Sequence, residues 1–217
     1  MSALLLLDLD NTLADRAAAF EHWAETQLNR WAPTDDGAMA FLHEQDCDGF
    51  APREAFLASV RDRFELVDRV EELLADYRRI TLEGFPALDE DVAERLRSFR
   101  AAGWRIGVVT NGDAGVQEAT VERIGLAPLI DACVVSGTVG IAKPDRRIFE
   151  IAAEQCGRPL THAWMVGDAE ADVIGAAAAG MRSVWLTRGR TWERGDIAPN
   201  LAAGTAAEAL ALVQTSI

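Results

Sequence analysis

The sequence predicts an α/β protein: an open, doubly wound parallel sheet with an inserted α-helical lobe. Three observations carry the prediction. Leu4-Leu5-Leu6-Leu7 is a continuous apolar run, the pattern of a strand buried on both faces, as parallel strands flanked by helices are. From Pro86 onward, short β-type runs alternate with helical patterns, and strands separated by helices of ~10–15 residues imply right-handed βαβ units. Between the two, residues 15–83 carry helical patterns and no strand-like run. Residues 1–14 and 84–217 are therefore read as the α/β core, and 15–83 as a helical domain.

Each element follows from its local pattern. Ala17 to Trp31 places apolar residues at 20, 23, 24, 28 and 31, a helical stripe. After a polar stretch from Pro33 to Gly37, Met39, Ala40 and Leu42 mark a second short helix. His43 to Arg53 (HEQDCDGFAPR) reads as a loop punctuated by Gly49 and Pro52. Helices over 53–63 and 67–80 complete the lobe. In the core, Asp89 to Ala102 is a helix stopped by Gly103. A strand over Trp104 to Val109 ends at Thr110-Asn111-Gly112, and the helix from Ala114 to Ile124 is closed by Gly125. A third strand, Ala132 to Val135, ends at Ser136-Gly137; Lys143-Pro144 introduces a helix from Asp145 to Cys156. A fourth strand, Ala163 to Val166, ends at Gly167-Asp168, before a helix from Asp172 to Ala179 closed by Gly180. A fifth strand, Ser183 to Leu186, runs into a loop with Arg188, Gly189, Arg190 and Trp192. Thr205 is the N-cap of a last helix, Ala206 to Val213.

Composition narrows the partners. The 217 residues are 49% apolar and 26% charged, ample for a core. Lys plus Arg is 21 against 35 Asp plus Glu, a net charge of −14. That charge argues against a nucleic acid polymer or an anionic membrane as the main partner, and is compatible with a small anionic substrate in a local pocket. No apolar run reaches the ~18–20 residues of a membrane span. The N-terminal run is short, lacks a preceding basic residue and ends in aspartates, unlike a signal peptide. Cys47, Cys133 and Cys156 are few, odd in number and far apart, which points to reduced thiols in a cytoplasmic protein. His22, His43 and His162 have no metal-ligand spacing. A monomer or homodimer is expected.

Ligands of open parallel sheets sit beyond the carboxyl ends of the strands, and those ends are where this chain keeps its polar residues. Asp8 and Asp10 follow the first strand one residue apart, and residues i and i+2 of an extended segment point the same way. Two carboxylates that close repel unless a cation, a proton or a donor lies between them. The same pair also fits a strand-ending turn with two solvated acids.

The later strand ends favour chemistry. DLDNT at 8–12, VVTNG at 108–112, Lys143-Pro144-Asp145 and VGDAEAD at 166–172 resemble, in order, the four motifs of the haloacid dehalogenase (HAD) superfamily. Each motif alone is a common turn; four in order within a βαβ frame are specific. The resemblance covers the whole chain, including a helical cap inserted soon after the first motif, and implies a Rossmann-like core. It also implies a phosphatase acting on a small-molecule phosphate ester through an aspartyl-phosphate.

A phosphate ester needs a nucleophile, an acid for the leaving oxygen and positive charge around the phosphoryl oxygens. Asp8 can attack phosphorus, and Asp10 can protonate the leaving alkoxide and then take a proton from water. Mg²⁺ prefers one or two carboxylates with substrate oxygen and water. Asp8 and Asp168 fit, and the resemblance adds the Asp10 carbonyl oxygen. Asp172, one turn further on, either holds the metal site through water or is a helix N-terminal acid favoured by the dipole. The Thr110 hydroxyl and the Asn111 backbone N–H are candidate donors to the phosphoryl oxygens, and Lys143 supplies fixed positive charge.

Members of the family that displace halide lack an acid two residues after the nucleophile, so Asp10 favours phosphoryl transfer over 2-haloacid dehalogenation. Asn11, where glycine is common, suggests the branch with nucleotide and sugar phosphatases. The cap is expected to set the substrate. Phe20 and Trp23 are candidates there, although aromatics at helical spacing are usually core. Arg53 could bind a second anionic or hydroxyl-rich part of the substrate, or form an internal salt bridge to Asp46 or Asp48. Arg188 and Arg190 have no assigned role. The expected activity is Mg²⁺-dependent hydrolysis of a nucleoside, sugar or glycolate-type phosphomonoester; a phosphotransferase or mutase, a dehalogenase and a non-catalytic binding protein are the alternatives.

Overall fold

The computed structural model describes residues 3–32 and 34–216; Pro33, first in the polar stretch named above, lies outside them. The chain forms two compact units, Met1–Ala14 with Ala87–Ile217, and Asp15–Pro86. In chain order the elements are β1 (Leu4–Leu7), α1 (Arg16–Trp31), α2 (Ala38–Asp46), α3 (Arg53–Arg63), α4 (Val70–Gly84), α5 (Glu90–Ala101), β2 (Arg105–Thr110), α6 (Ala114–Arg123) and β3 (Ala132–Val135). They continue with α7 (Ser136–Val139), α8 (Arg146–Gln155), β4 (Trp164–Gly167), α9 (Glu170–Ala178), β5 (Arg182–Leu186), β6 (Leu201–Ala203) and α10 (Ala206–Thr215). No helix of the described residues is long and apolar enough to cross a membrane.

The α/β unit is built on a parallel sheet in the order β3-β2-β1-β4-β5-β6. The four leucines occupy its centre because they need cover on both faces and both edges. Leu7 is in register with Val108 on one side and Val166 on the other. That register brings the ends of β1, β2 and β4 level, where the strand order reverses. Beneath them Leu4, Leu6, Val109, Phe149 and Met165 form a buried cluster. Gly175 of α9 keeps the helix against it, since a Cβ there would run into the Phe149 ring.

Two features of the sheet differ from the sequence expectation. β6 pairs in register with β5, Val184 beside Leu201 and Leu186 beside Ala203. It has no β-branched or aromatic residue, so local pattern gives no sign of it; pairing to an available sheet edge decides. Ser136-Gly137, expected only as a strand end, opens the short helix α7, which Gly140 closes at φ +69°.

The helical unit has its own core. Trp23 stacks edge-on against Phe56 and Tyr77, with ring centroids 5.5 Å and 5.0 Å away. Phe20 and Trp23 are 2% and 0% exposed, so both are core residues of this unit. The expected loop from His43 is helical as far as Asp46, and a tight turn with positive φ at Cys47, Asp48 and Gly49 then ends the helix. Buried Asp46 holds that turn: its side chain accepts from Gly49 N at 2.8 Å, from Arg16 at 2.6 and 2.9 Å and from Arg53 Nη1 at 2.6 Å. Both arginines also donate to the Tyr77 hydroxyl at 3.2 Å. Burial pushes the Asp46 carboxyl up, but Arg16 and Arg53 outweigh it and hold the group below its usual range.

Candidate active site

β1 continues into the first candidate residue, Asp8. Asp8 N donates to Val166 O at 2.9 Å, so the carboxylate sits where the β1–β4 ladder ends. The chain then turns tightly, with Asn11 N bonded to Ala14 O, and Leu13 N and Ala14 N both bonded to Leu9 O. Asn11 has φ +59°, a left-handed conformation that asparagine and glycine tolerate best. This is the physical reason either residue serves after Asp10. The turn points the Thr12 hydroxyl at Asp8 Oδ2, at 3.5 Å, longer than an ordinary O–H···O bond.

Lys143 arrives from the loop after α7. Its Nζ lies 2.6 Å from Asp8 Oδ1 and 2.7 Å from Asp172 Oδ1, with a side chain only 3% exposed. The Asn111 side chain fixes the lysine backbone from both directions: Nδ2 donates to Lys143 O at 3.0 Å, and Lys143 N donates to Oδ1 at 2.8 Å. The Lys143–Pro144 peptide is cis. Burial penalises the ammonium, yet Asp172 and Asp8 raise its pKa well above the ordinary lysine value, so it stays charged. Asp172 is raised above the carboxylate range, chiefly by burial and further by Asp8, against the pull of Lys143. Asp172 also caps α9, its Oδ2 accepting from Ala169 N at 3.0 Å, so the helix-terminal acid and the lysine partner are one residue. Gly167 makes room for it, because a Cβ there would collide with the Asp172 carboxylate. Gly167→Ala should therefore displace Asp172 and cost about 1–3 kcal/mol, read as a lower unfolding midpoint; an unchanged midpoint would show that the fold absorbs the methyl.

Asp168 directly follows β4 and is buried. Its Oδ2 accepts from Arg190 Nη2 at 3.0 Å and Arg188 Nη1 at 3.3 Å. Its carbonyl accepts from Arg190 Nη2 at 2.7 Å and from Trp185 Nε1 at 2.9 Å. Burial and then Asp8 push the Asp168 carboxyl up against the two arginines. Asp8, Asp168 and Asp172 together offer ligand oxygens that all lie within 4.8 Å of one another. Three buried carboxylates, two of them raised by burial and mutual repulsion, are a hard oxygen donor set that suits Mg²⁺.

Asp10 is not one of those three carboxylates. Its Oδ2 accepts from Gln117 Nε2 at 2.9 Å, while the metal reading gives it a role only through its carbonyl. Thr110 is buried at the end of β2, paired with Val135. Asp8, Lys143, Asn111 and Asp172 are thus joined by direct contacts within the α/β unit, with an Asp168 oxygen within 4.8 Å of the other two carboxylates. Arg53 belongs to the helical unit and spends its Nη1 on Asp46 and Tyr77. The sequence reading missed Gln117, Thr12 and the Asn111 side chain, and left Arg188 and Arg190 without a role. The one signal for Gln117 is its place beside Thr120 and Val121 on the buried stripe of α6, where a polar residue needs a partner.

A family model for haloacid dehalogenase-like hydrolases matches residues 3–180. The chain is 30% identical over 203 residues to a phosphoglycolate phosphatase of Caulobacter vibrioides, covering 88% of this chain and 81% of that one. It is 41% identical over 97 residues to the pyrimidine 5'-nucleotidase YjjG of Escherichia coli, covering 44% of this chain and 43% of YjjG. The match to a phosphoserine phosphatase of Thermus thermophilus likewise spans only 44% of that protein. Among solved structures, a magnesium-bound form of YfnB from Bacillus subtilis superposes with a TM-score of 0.82 over 98% of both chains, at 19% identity, a likeness of fold. With the family model spanning most of its length and both motif aspartates at the end of β1, the chain belongs to the haloacid dehalogenase-like hydrolases.

Proposed function

We propose that the protein is a Mg²⁺-dependent phosphatase of a small phosphomonoester, of nucleoside, sugar or glycolate type, working through an aspartyl-phosphate on Asp8. One observation carries the reading: Asp8 is buried and held by Lys143, while the second carboxylate, Asp10, is held separately by Gln117. Two acids kept in different environments can take different roles.

Lys143 engages Asp8 Oδ1, which leaves Oδ2 to attack phosphorus. Asp10 gives a proton to the leaving oxygen and later removes one from the water that hydrolyses the intermediate. Lys143, the Thr110 hydroxyl and the Asn111 backbone N–H bind the phosphoryl oxygens. Asp8, Asp168 and the Asp10 carbonyl would hold the cation, with Asp172 behind them; when bound, it neutralises charge between nucleophile and phosphoryl group. The phosphatase names of the relatives and the magnesium of YfnB support this reading. Asp10 speaks against dehalogenation, since a departing halide needs no proton. We place the enzyme in the cytoplasm, where its three free cysteines stay reduced.

The test is hydrolysis of p-nitrophenyl phosphate and of a panel of phosphometabolites, with released phosphate as the readout. Excess EDTA should lower the rate by about 100-fold or more, the loss of a few kcal/mol of charge stabilisation. Full activity with EDTA would remove the metal from the reading. Chloride release from a 2-chloroacid without phosphatase activity would replace the reading altogether.

A further inference from the structure

We propose that Gln117 is a positioning residue that aims Asp10 at the leaving group. The inference rests on Asp10 acting as the acid and base of the proposed reaction. Gln117 lies in the first half of α6 and is 4% exposed. Its Nε2 is 2.9 Å from Asp10 Oδ2 and 3.4 Å from Asn111 O. Both neighbours are acceptors, so the amide must present its nitrogen, and its orientation follows from chemistry. A buried amide costs free energy unless it is bonded; this one is spent on a residue 107 positions away in the chain.

The backbone around it is shaped for the contact. A Cβ at Gly112 would stand 2.5 Å from Gln117 Nε2 and 3.1 Å from its Cδ. A methyl group at 112 would push the amide from the position in which it reaches Asp10. In the first step the Asp8 oxygen–phosphorus bond forms, the bond from phosphorus to the leaving oxygen breaks, and the proton of the Asp10 carboxyl moves to that oxygen. In the second, water attacks phosphorus, the bond to Asp8 breaks and a water proton returns to the Asp10 carboxylate.

Leaving-group dependence separates this role from a structural one. p-Nitrophenolate departs without protonation, whereas an alkoxide does not. We would measure kcat/KM for p-nitrophenyl phosphate and for an alkyl phosphate with the wild type, Gln117→Met and Gly112→Ala. Acid–base assistance is worth about 10²–10⁴-fold. Misaiming it should lower the alkyl phosphate rate by roughly 10–30-fold in Gln117→Met and change the p-nitrophenyl phosphate rate by less than about 3-fold. Gly112→Ala, which moves the amide without altering it, should shift the ratio the same way. In an Asp10→Ala background, Gln117→Met should lower alkyl phosphate hydrolysis no further. Equal losses on both substrates, or an unchanged ratio, would overturn the proposal. A wild type that hydrolyses neither ester would instead overturn the phosphatase reading beneath it.

Discussion

Asp8→Asn is expected to abolish phosphate release, by on the order of 10⁴-fold or more, without unfolding the protein. The amide that replaces the carboxylate cannot attack phosphorus. Its shape is the same, and its neighbours gain. Asp8 is one of two carboxylates sharing Lys143, and its charge pushes both Asp168 and Asp172 up. An acid whose folded pKa is raised contributes stability at low pH and loses it as pH climbs through the raised value. Removing the Asp8 charge relieves that loss. Asp8→Asn should therefore be as stable as the wild type at neutral pH, or more so by about 1–2 kcal/mol. Phosphate release and an unfolding curve check the two halves. Retained activity would move the nucleophile elsewhere, and a marked loss of stability would mean that Asp8 holds the fold as well as the reaction.

Lys143→Met should fail in the opposite way. It leaves Asp8 and Asp172 buried, close together and without the cation they share. Removing one side of a buried ionic cluster typically costs about 3–5 kcal/mol. The cost belongs to the ionised carboxylates: burial and Asp8 already raise Asp172 to about 7 and loss of Lys143 raises it further, so the deficit should be larger at about pH 8 than at about pH 5, where Asp172 is protonated. Denaturant unfolding of the variant and the wild type at both pH values gives the comparison. Equal deficits at the two pH values would assign the loss to packing instead of charge. Activity should also fall, because Lys143 contacts the proposed nucleophile.

The parts of this arrangement that could be read from sequence are those with a local signature. Four leucines announce a strand covered on both faces, and Gly103, Gly125 and Gly180 stop the helices that follow. Asp8, Thr110 and Asp168 stand at strand ends, where ligands of parallel sheets gather, and Lys143 follows on the loop after α7. What sequence hid depends on who meets whom across the fold. β6 exists only because β5 offers an edge, and Leu201-Ala202-Ala203 carries no strand signature of its own. Asn111 looked like a turn residue with a useful backbone N–H. Its side chain instead ties down the loop that delivers Lys143, 32 positions later. Arg188 and Arg190 were plain surface arginines until the loop after β5 folded back on Asp168.

The central position of β1 has a consequence for how the chain is made. Its partners, β2 and β4, begin only at Arg105 and Trp164, so Leu4–Leu7 leaves the ribosome long before anything can cover it. A bare apolar strand is the kind of segment that pairs with other chains, and natural sequences guard such segments with adjacent charges. Asp8 and Asp10 stand at that end. The aspartates proposed to handle a phosphate in the finished protein are thus the charges that keep its first strand in solution during synthesis. The helical unit, with a core of its own, can fold while β1 waits.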